Sequence, residues 1–214
     1  MVFLIFLLPV FIPAVVIHEV AHGFVAFRLG DPTAKEKGRL TLNPIAHISL
    51  TGSILVPLLL VLMKAGFVFA WAKPVPVNPR FFKKPLQGMG WVAIAGPISN
   101  FIQTLFWASL FRILVFSFGP GDEDLVLTLT LQICQFGVVI NLILGIFNLL
   151  PIPPLDGGRI ATALMPLKTA RLYSRLEPFG ILIVVALLFL GGLNWILNPT
   201  LQIAEFFLGV NLQF

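Results

Sequence analysis

Four stretches of the chain run without Asp, Lys or Arg for long enough to read as membrane helices. They are Met1 to Phe27, Pro85 to Phe111, Leu125 to Leu155 and Pro178 to Ala204; Glu19, with His18 and His22, is the one charged interruption. Crossing a bilayer takes about 20 apolar residues in a helix. A fifth stretch, 48–72, is hydrophobic but carries Lys64, Gly66 and Pro57, so it either crosses or dips in and returns at Gly66. Between the first and fifth stretches, KEKGRLTLNP (35–44) offers Gly38 for a turn and alternates polar with apolar over Arg39-Leu40-Thr41-Leu42, which predicts a short β-hairpin. KPVPVNP (73–79) is a second extended candidate, because its prolines forbid helix but are allowed on a sheet edge. The pattern predicts an all-α polytopic membrane protein. It would have four to six transmembrane helices and a small membrane-associated β-hairpin or re-entrant region after the first, forming one membrane-embedded domain over 1–214.

Composition strengthens this reading. Of 214 residues, 58% are hydrophobic and 11% charged, against about a quarter charged in a soluble domain. A pI near 9.8 raises the question of nucleic acid, but the basic residues alternate with apolar spans and read as loop charges that set topology. They cluster at Arg28, Lys35, Lys37 and Arg39, at Lys73, Arg80, Lys83 and Lys84, and at Arg159, Lys168, Arg171 and Arg175; Asp122, Glu123 and Asp124 form one acidic loop. A re-entrant 48–72 places every basic cluster on the cytoplasmic face and the acidic loop outside, as the positive-inside rule favours. No Lys or Arg precedes Arg28 and no small-residue cleavage site follows the first apolar run, so that run reads as a span rather than a cleaved signal. Cys134, the single cysteine, lies in an apolar stretch and reads as a packing residue.

The exception to the apolar pattern is the candidate chemistry. HEVAH (18–22) puts His18 and His22 four residues apart, about 40° around a helix, where both imidazoles reach one tetrahedral zinc. Glu19 projects beside such a metal and can take a proton from its water, then pass it to a leaving amine. Polar groups at membrane depth cost about 2.5–3.5 kcal/mol each on insertion scales, and a divalent cation offsets them in a way that core histidines bonded to backbone carbonyls would not. A catalytic zinc takes three protein ligands. Asp156, in FNLLPIPPLDGGRI, is the carboxylate that stands out in apolar surroundings, with a helix N-cap as its competing use. The prolines at 151, 153 and 154 must break a helix there, and broken backbone at membrane depth lines a cavity or is buried in protein.

HEVAH in the first apolar helix, AGPISN (95–100) in a middle one and NLLPIPPLDGG (148–158) in a later one together resemble the site-2 protease family of intramembrane zinc metalloproteases, peptidase family M50. GRLTLNPIAHI (38–48) resembles the compact bacterial branch, and the chain has no residues to spare for PDZ or CBS domains. The resemblance covers residues 1 to about 175. It implies one Zn2+ per chain on His18, His22 and Asp156, with Glu19 as catalytic base and Asn148 holding the substrate carbonyl or oxyanion. It further implies cleavage of membrane-protein or signal-peptide-like substrates within the bilayer, in a bacterial inner membrane, with the active site toward the cytoplasm. Asn100, His47 and Asn141 are further candidates for substrate binding; an interhelical hydrogen bond is the competing use of Asn100 and a satisfied loop position that of His47. A membrane metal-ion transporter with the same ligands, and a non-catalytic substrate-binding pseudo-protease, are the alternative functions. Transporters spread polar groups through both leaflets, and a pseudo-protease would not need an intact Glu19. Nothing in the sequence fixes the oligomeric state.

Overall fold

The computed structural model describes residues 7–63, 71–119, 124–210 and 212. A π-type turn, Leu7–Phe11, leads into α1, Ile12–Arg28, followed by a short α2, Thr33–Glu36. A second π-type turn, Leu50–Leu55, continues as α3, Val56–Leu62. Then come α4, Pro85–Phe118, and α5, Leu125–Asn148, and after a broken loop α6, Asp156–Leu164, α7, Leu167–Ser174, α8, Gly180–Phe189, and α9, Gly192–Leu208. Among the described residues, three helices are long and apolar enough to cross a membrane: Pro9–Arg28, α4 and α5.

The boundaries follow from local chemistry. Pro13 and Pro85 sit in the first turns of α1 and α4, where a missing N–H costs nothing. Asp124 caps α5 by accepting from the N–H groups of Val126 and Leu127. Helix α4 is the centre of the bundle and packs on α1, α5 and α6, while α9 packs on α5. It runs antiparallel to both long neighbours: His18 meets Asn100 and His22 meets Val92, and Gly145 faces Phe101 while Gly137 faces Trp107. The ends at Arg28, Pro85 and Asn148 therefore share one side of the bundle, and Asp124 lies on the other. The apolar core fills the Asp124 half, where Ala108 and Phe111 of α4 meet Cys134, Val138 and Leu142 of α5 and Ala204 of α9. The buried polar groups His18, His22, Asn100, Asn141 and Asp156 fall outside that apolar cluster.

Two expectations change. No strand occurs among the described residues, so the hairpin over 35–44 does not form. Its backbone is satisfied by turns and side chains instead: Thr41 Oγ1 accepts from Asn43 N–H, Asn43 caps a 3-10 turn at Pro44–His47, and His47 Nε2 donates to the Thr41 carbonyl. The stretch Pro178 to Ala204 is not one continuous helix. It breaks at Gly191, which takes φ 80°, a left-handed conformation that glycine adopts at little cost. Among its described residues the fifth stretch holds the π-type turn Leu50–Leu55 and the short α3; its supposed turn at Gly66, with Lys64, lies outside the described residues. So do Asp122 and Glu123 of the acidic loop.

Candidate metal centre

Helix α1 presents His18 and His22 on its buried face, toward α4. The chain of α4 can approach both rings because position 96 has no side chain: a Cβ on Gly96 would lie 2.5 Å from His22 Nε2 and 2.6 Å from His18 Cε1. The third group arrives from the loop that Pro151, Pro153 and Pro154 break open. Leu149–Leu155 folds back over the start of α6, so tightly that a Cβ on Gly157 would stand 2.2 Å from the Leu149 carbonyl oxygen and 2.3 Å from that of Leu150. Backbone carbonyls cannot step aside as a flexible side chain would. Gly157→Ala is expected to destabilise the protein by about 3 kcal/mol or more, read as a lower unfolding midpoint in detergent.

This fold brings together three of the residues singled out from sequence. Asp156 Oδ2 lies 3.2 Å from His18 Nε2 and 3.2 Å from His22 Nε2, and the two Nε2 atoms are 3.1 Å apart. The outer nitrogen of each ring is already committed. His18 Nδ1 donates to Asn100 Oδ1 at 2.6 Å, and His22 Nδ1 donates to the Val92 carbonyl at 2.7 Å. With the proton on Nδ1 in both neutral rings, each Nε2 carries a lone pair. Two nitrogen lone pairs and a carboxylate oxygen thus converge with no proton among them, and Asp156 Oδ2 is buried without a hydrogen-bond partner. Three acceptors packed together in a poorly solvated place repel one another, and a cation removes the conflict. The near-equilateral triangle also suits zinc: bonds of about 2.0–2.1 Å in tetrahedral geometry set ligand atoms about 3.4 Å apart. The capping alternative for Asp156 is not realised, since Leu155 is the N-cap of α6 and no side chain caps it.

The supporting shell is built from α4 and α5. Asn100, fully buried, uses its oxygen on His18 and its amide on Asn141 Oδ1 at 2.9 Å; Asn141 in turn donates to the Gly137 carbonyl. Both amides are therefore engaged within the bundle and fix one imidazole from behind. Asn100→Ala removes the acceptor that sets the His18 tautomer and leaves Asn141 Oδ1 without its donor. Zinc affinity is expected to fall about 10- to 100-fold, measured by competition with a chromophoric chelator.

Glu19 is half-buried on α1, and its Oε2 accepts from the backbone N–H of Val75 at 2.8 Å. Asn148 ends α5, half-buried, with its amide donating to the Leu144 carbonyl. His47 stands apart from the triangle: it is buried, bonds Thr41, and its carbonyl accepts the N–H of Lys73. Sequence reasoning missed the backbone partners, the Val92 carbonyl and the Val75 N–H, because backbone groups carry no residue signature. The close approach at Gly96 has its one sequence signal in AGPISN.

Comparison with known proteins adds an independent observation. The family model described as Peptidase family M50 matches residues 121–191, which hold Asn148 and Asp156. YwhC of Bacillus subtilis (strain 168), provisionally named a zinc metalloprotease, is 41% identical over 187 residues, 86% of this chain and 80% of YwhC. Rip2 of Mycolicibacterium smegmatis, with the same provisional designation, is 31% identical over 179 residues, 83% of this chain and 64% of Rip2. MJ0392 of Methanocaldococcus jannaschii, named a zinc metalloprotease, is 28% identical over 161 residues, 75% of this chain but 34% of that protein. No solved structure matches.

Proposed function

The chain belongs to peptidase family M50, as an integral membrane zinc metalloprotease, and from that premise we propose that it hydrolyses peptide bonds in or near transmembrane segments of membrane-protein substrates. His18, His22 and Asp156 hold the zinc, Glu19 is the general base, and Asn148 supplies an amide to the developing oxyanion. The observation that carries this reading is the convergence of three acceptor atoms from α1 and the 149–156 loop beside a carboxylate that binds none of them.

Zinc held there polarises a scissile carbonyl and lowers the pKa of its water toward neutrality. The remaining chemistry falls to the chain. Glu19 spends Oε2 on Val75 and keeps Oε1 to take the proton from the attacking water and return it to the leaving amine. Asn148 spends one amide hydrogen on Leu144 and has a second for a substrate oxygen. Asn100 and Val92 keep both imidazoles in the tautomer that directs Nε2 inward.

Depth in the membrane follows from helix geometry. At 1.5 Å per residue, His22 and His18 lie about 9 and 15 Å from Arg28 at the end of α1. That end carries the basic segments and the opposite end carries Asp124, which supports an active site within the bilayer and toward the cytoplasmic face. A helical substrate hides its carbonyls and must unwind to be cut. Residues 71–78 run without helix or strand, and Trp71, Lys73 and Val75 turn their N–H groups inward, to Gly52, His47 and Glu19. The carbonyls of Ala72, Pro74 and Pro76 make no hydrogen bond among the described residues, and they can accept N–H groups from an unwound substrate strand.

The test is reconstitution in liposomes with single-span peptide substrates and mass mapping of products. The expected result is cleavage inside the apolar span, lost on chelation and restored by zinc. Cleavage confined to soluble peptides would contradict the intramembrane reading, and zinc uptake without cleavage would favour a transporter.

A further inference from the structure

We propose that Arg39 is a positioning residue for Glu19, acting through the segment 71–78 and the Val75 N–H. The inference rests on the reading of Glu19 as the base. Its starting point is a cation in an unexpected place. Arg39 is only 8% exposed, no carboxylate pairs with it among the described residues, and its Nε has no hydrogen-bond partner. A buried guanidinium without a counter-ion is costly, and a segment that merely had to be tethered could use a neutral donor.

What Arg39 does touch explains its position. One terminal guanidinium nitrogen donates to the Lys73 carbonyl at 2.6 Å, and the N–H of the same residue donates to the His47 carbonyl at 2.9 Å. Lys73 is thereby held by both its backbone groups. Five residues on, the Asn78 N–H donates to Asp31 Oδ2 at 2.6 Å, and Asp31, fully buried, is itself bonded by Thr33. Val75 lies between these two anchors. Its side chain fits beside Gly23, where a Cβ would come within 2.8 Å of it, and its N–H donates to Glu19 Oε2. Prolines at 74 and 76 stiffen the segment and leave Val75 as the one N–H donor between Lys73 and Val77.

The geometry makes a lever of this segment. In an extended chain Lys73 and Val75 are about 6.6 Å apart, so a shift at the Arg39 contact is delivered to the Val75 N–H almost unchanged. Glu19, one residue after His18, has that N–H as its only hydrogen bond among the described residues. Losing it lets the carboxylate rotate away from the bound water, and a displacement near 1 Å can cost about a hundredfold in rate.

The experiment compares Val75→Pro, which removes the N–H, with Val75→Ala, which removes only the side chain, and Arg39→Met with Arg39→Lys, which can still donate to Lys73. Zinc content, kcat and KM are read on the full-length protein in liposomes. The expected result for Val75→Pro is kcat about a hundredfold lower at unchanged zinc content, a loss at least about tenfold larger than that of Val75→Ala, whose N–H is intact. Arg39→Met falls at least about tenfold in kcat, Arg39→Lys recovers most of it, and Arg39→Met/Val75→Pro is no slower than Val75→Pro alone. Equal activity of the two Val75 variants, additive losses in the double variant, or loss of zinc in step with kcat in Arg39→Met overturns the proposal. If Val75→Pro does not fold, the Arg39 pair decides. Arg39→Met placed on Glu19→Gln separates the two readings. No further loss is expected there, a further loss puts Arg39 to some other use, and an active Glu19→Gln removes the base assignment itself.

Discussion

Glu19→Gln is expected to keep one zinc per chain while lowering kcat about 10^2- to 10^4-fold, the range over which a positioned acid–base group contributes. Glutamine is nearly the same size as glutamate and can still accept from the Val75 N–H, the bond that now holds Oε2. Its other terminal atom cannot take a proton from water. His18, His22 and Asp156 make no contact through Glu19, so the metal triangle should survive the change. Single-turnover cleavage of a labelled span, with zinc measured on the same sample, checks both halves. Wild-type cleavage by the variant, or loss of zinc with loss of activity, contradicts the assigned role.

The second large effect is at Asp156. Asp156→Ala leaves two imidazoles, below the three protein ligands of a catalytic zinc site. Loss of an outer-shell partner alone costs 10- to 100-fold in metal affinity, so the loss of a direct ligand is expected to exceed about a hundredfold. The sign in the metal-free protein is opposite. There Asp156 Oδ2 faces two lone pairs without a donor, and removing it relieves a repulsion. Chelation should therefore lower the unfolding midpoint of the wild type, which loses about 2.7 kcal/mol of linkage at a hundredfold excess of zinc over Kd, and should leave Asp156→Ala almost unmoved. Equal shifts in both proteins would mean that the aspartate is not a ligand.

Much of this site was legible in the sequence because the chemistry conflicts with its surroundings. His18, Glu19 and His22 stand out only against hydrocarbon, and Asp156 only because Pro151 to Pro154 open a helix where a membrane span should continue. The separation of charge was legible from Arg28, Lys84 and Asp124, which the antiparallel packing of α1, α4 and α5 puts on opposite sides of the bundle. What stayed hidden depends on partners distant in sequence. Arg39 reads as one more loop charge until Lys73 is found beside it. The alternation of Arg39 to Leu42 predicts a strand, yet the guanidinium turns inward and Thr41 closes a turn. Pro178 to Ala204 has the hydropathy of a single span, and only the left-handed Gly191 divides it. Asn100 and Asn141 carry no signal of their partnership, since side chains 41 positions apart meet only once α4 and α5 pack.

X-ray absorption at the zinc K edge on the purified protein tests the central claim most directly. The expected result is a single zinc with two imidazole nitrogens and the remaining donors oxygen, at about 2.0–2.1 Å, reduced to one imidazole in His22→Ala. A spectrum with sulfur donors, or one that His22→Ala leaves unchanged, would contradict the assignment of His18, His22 and Asp156 as the metal centre.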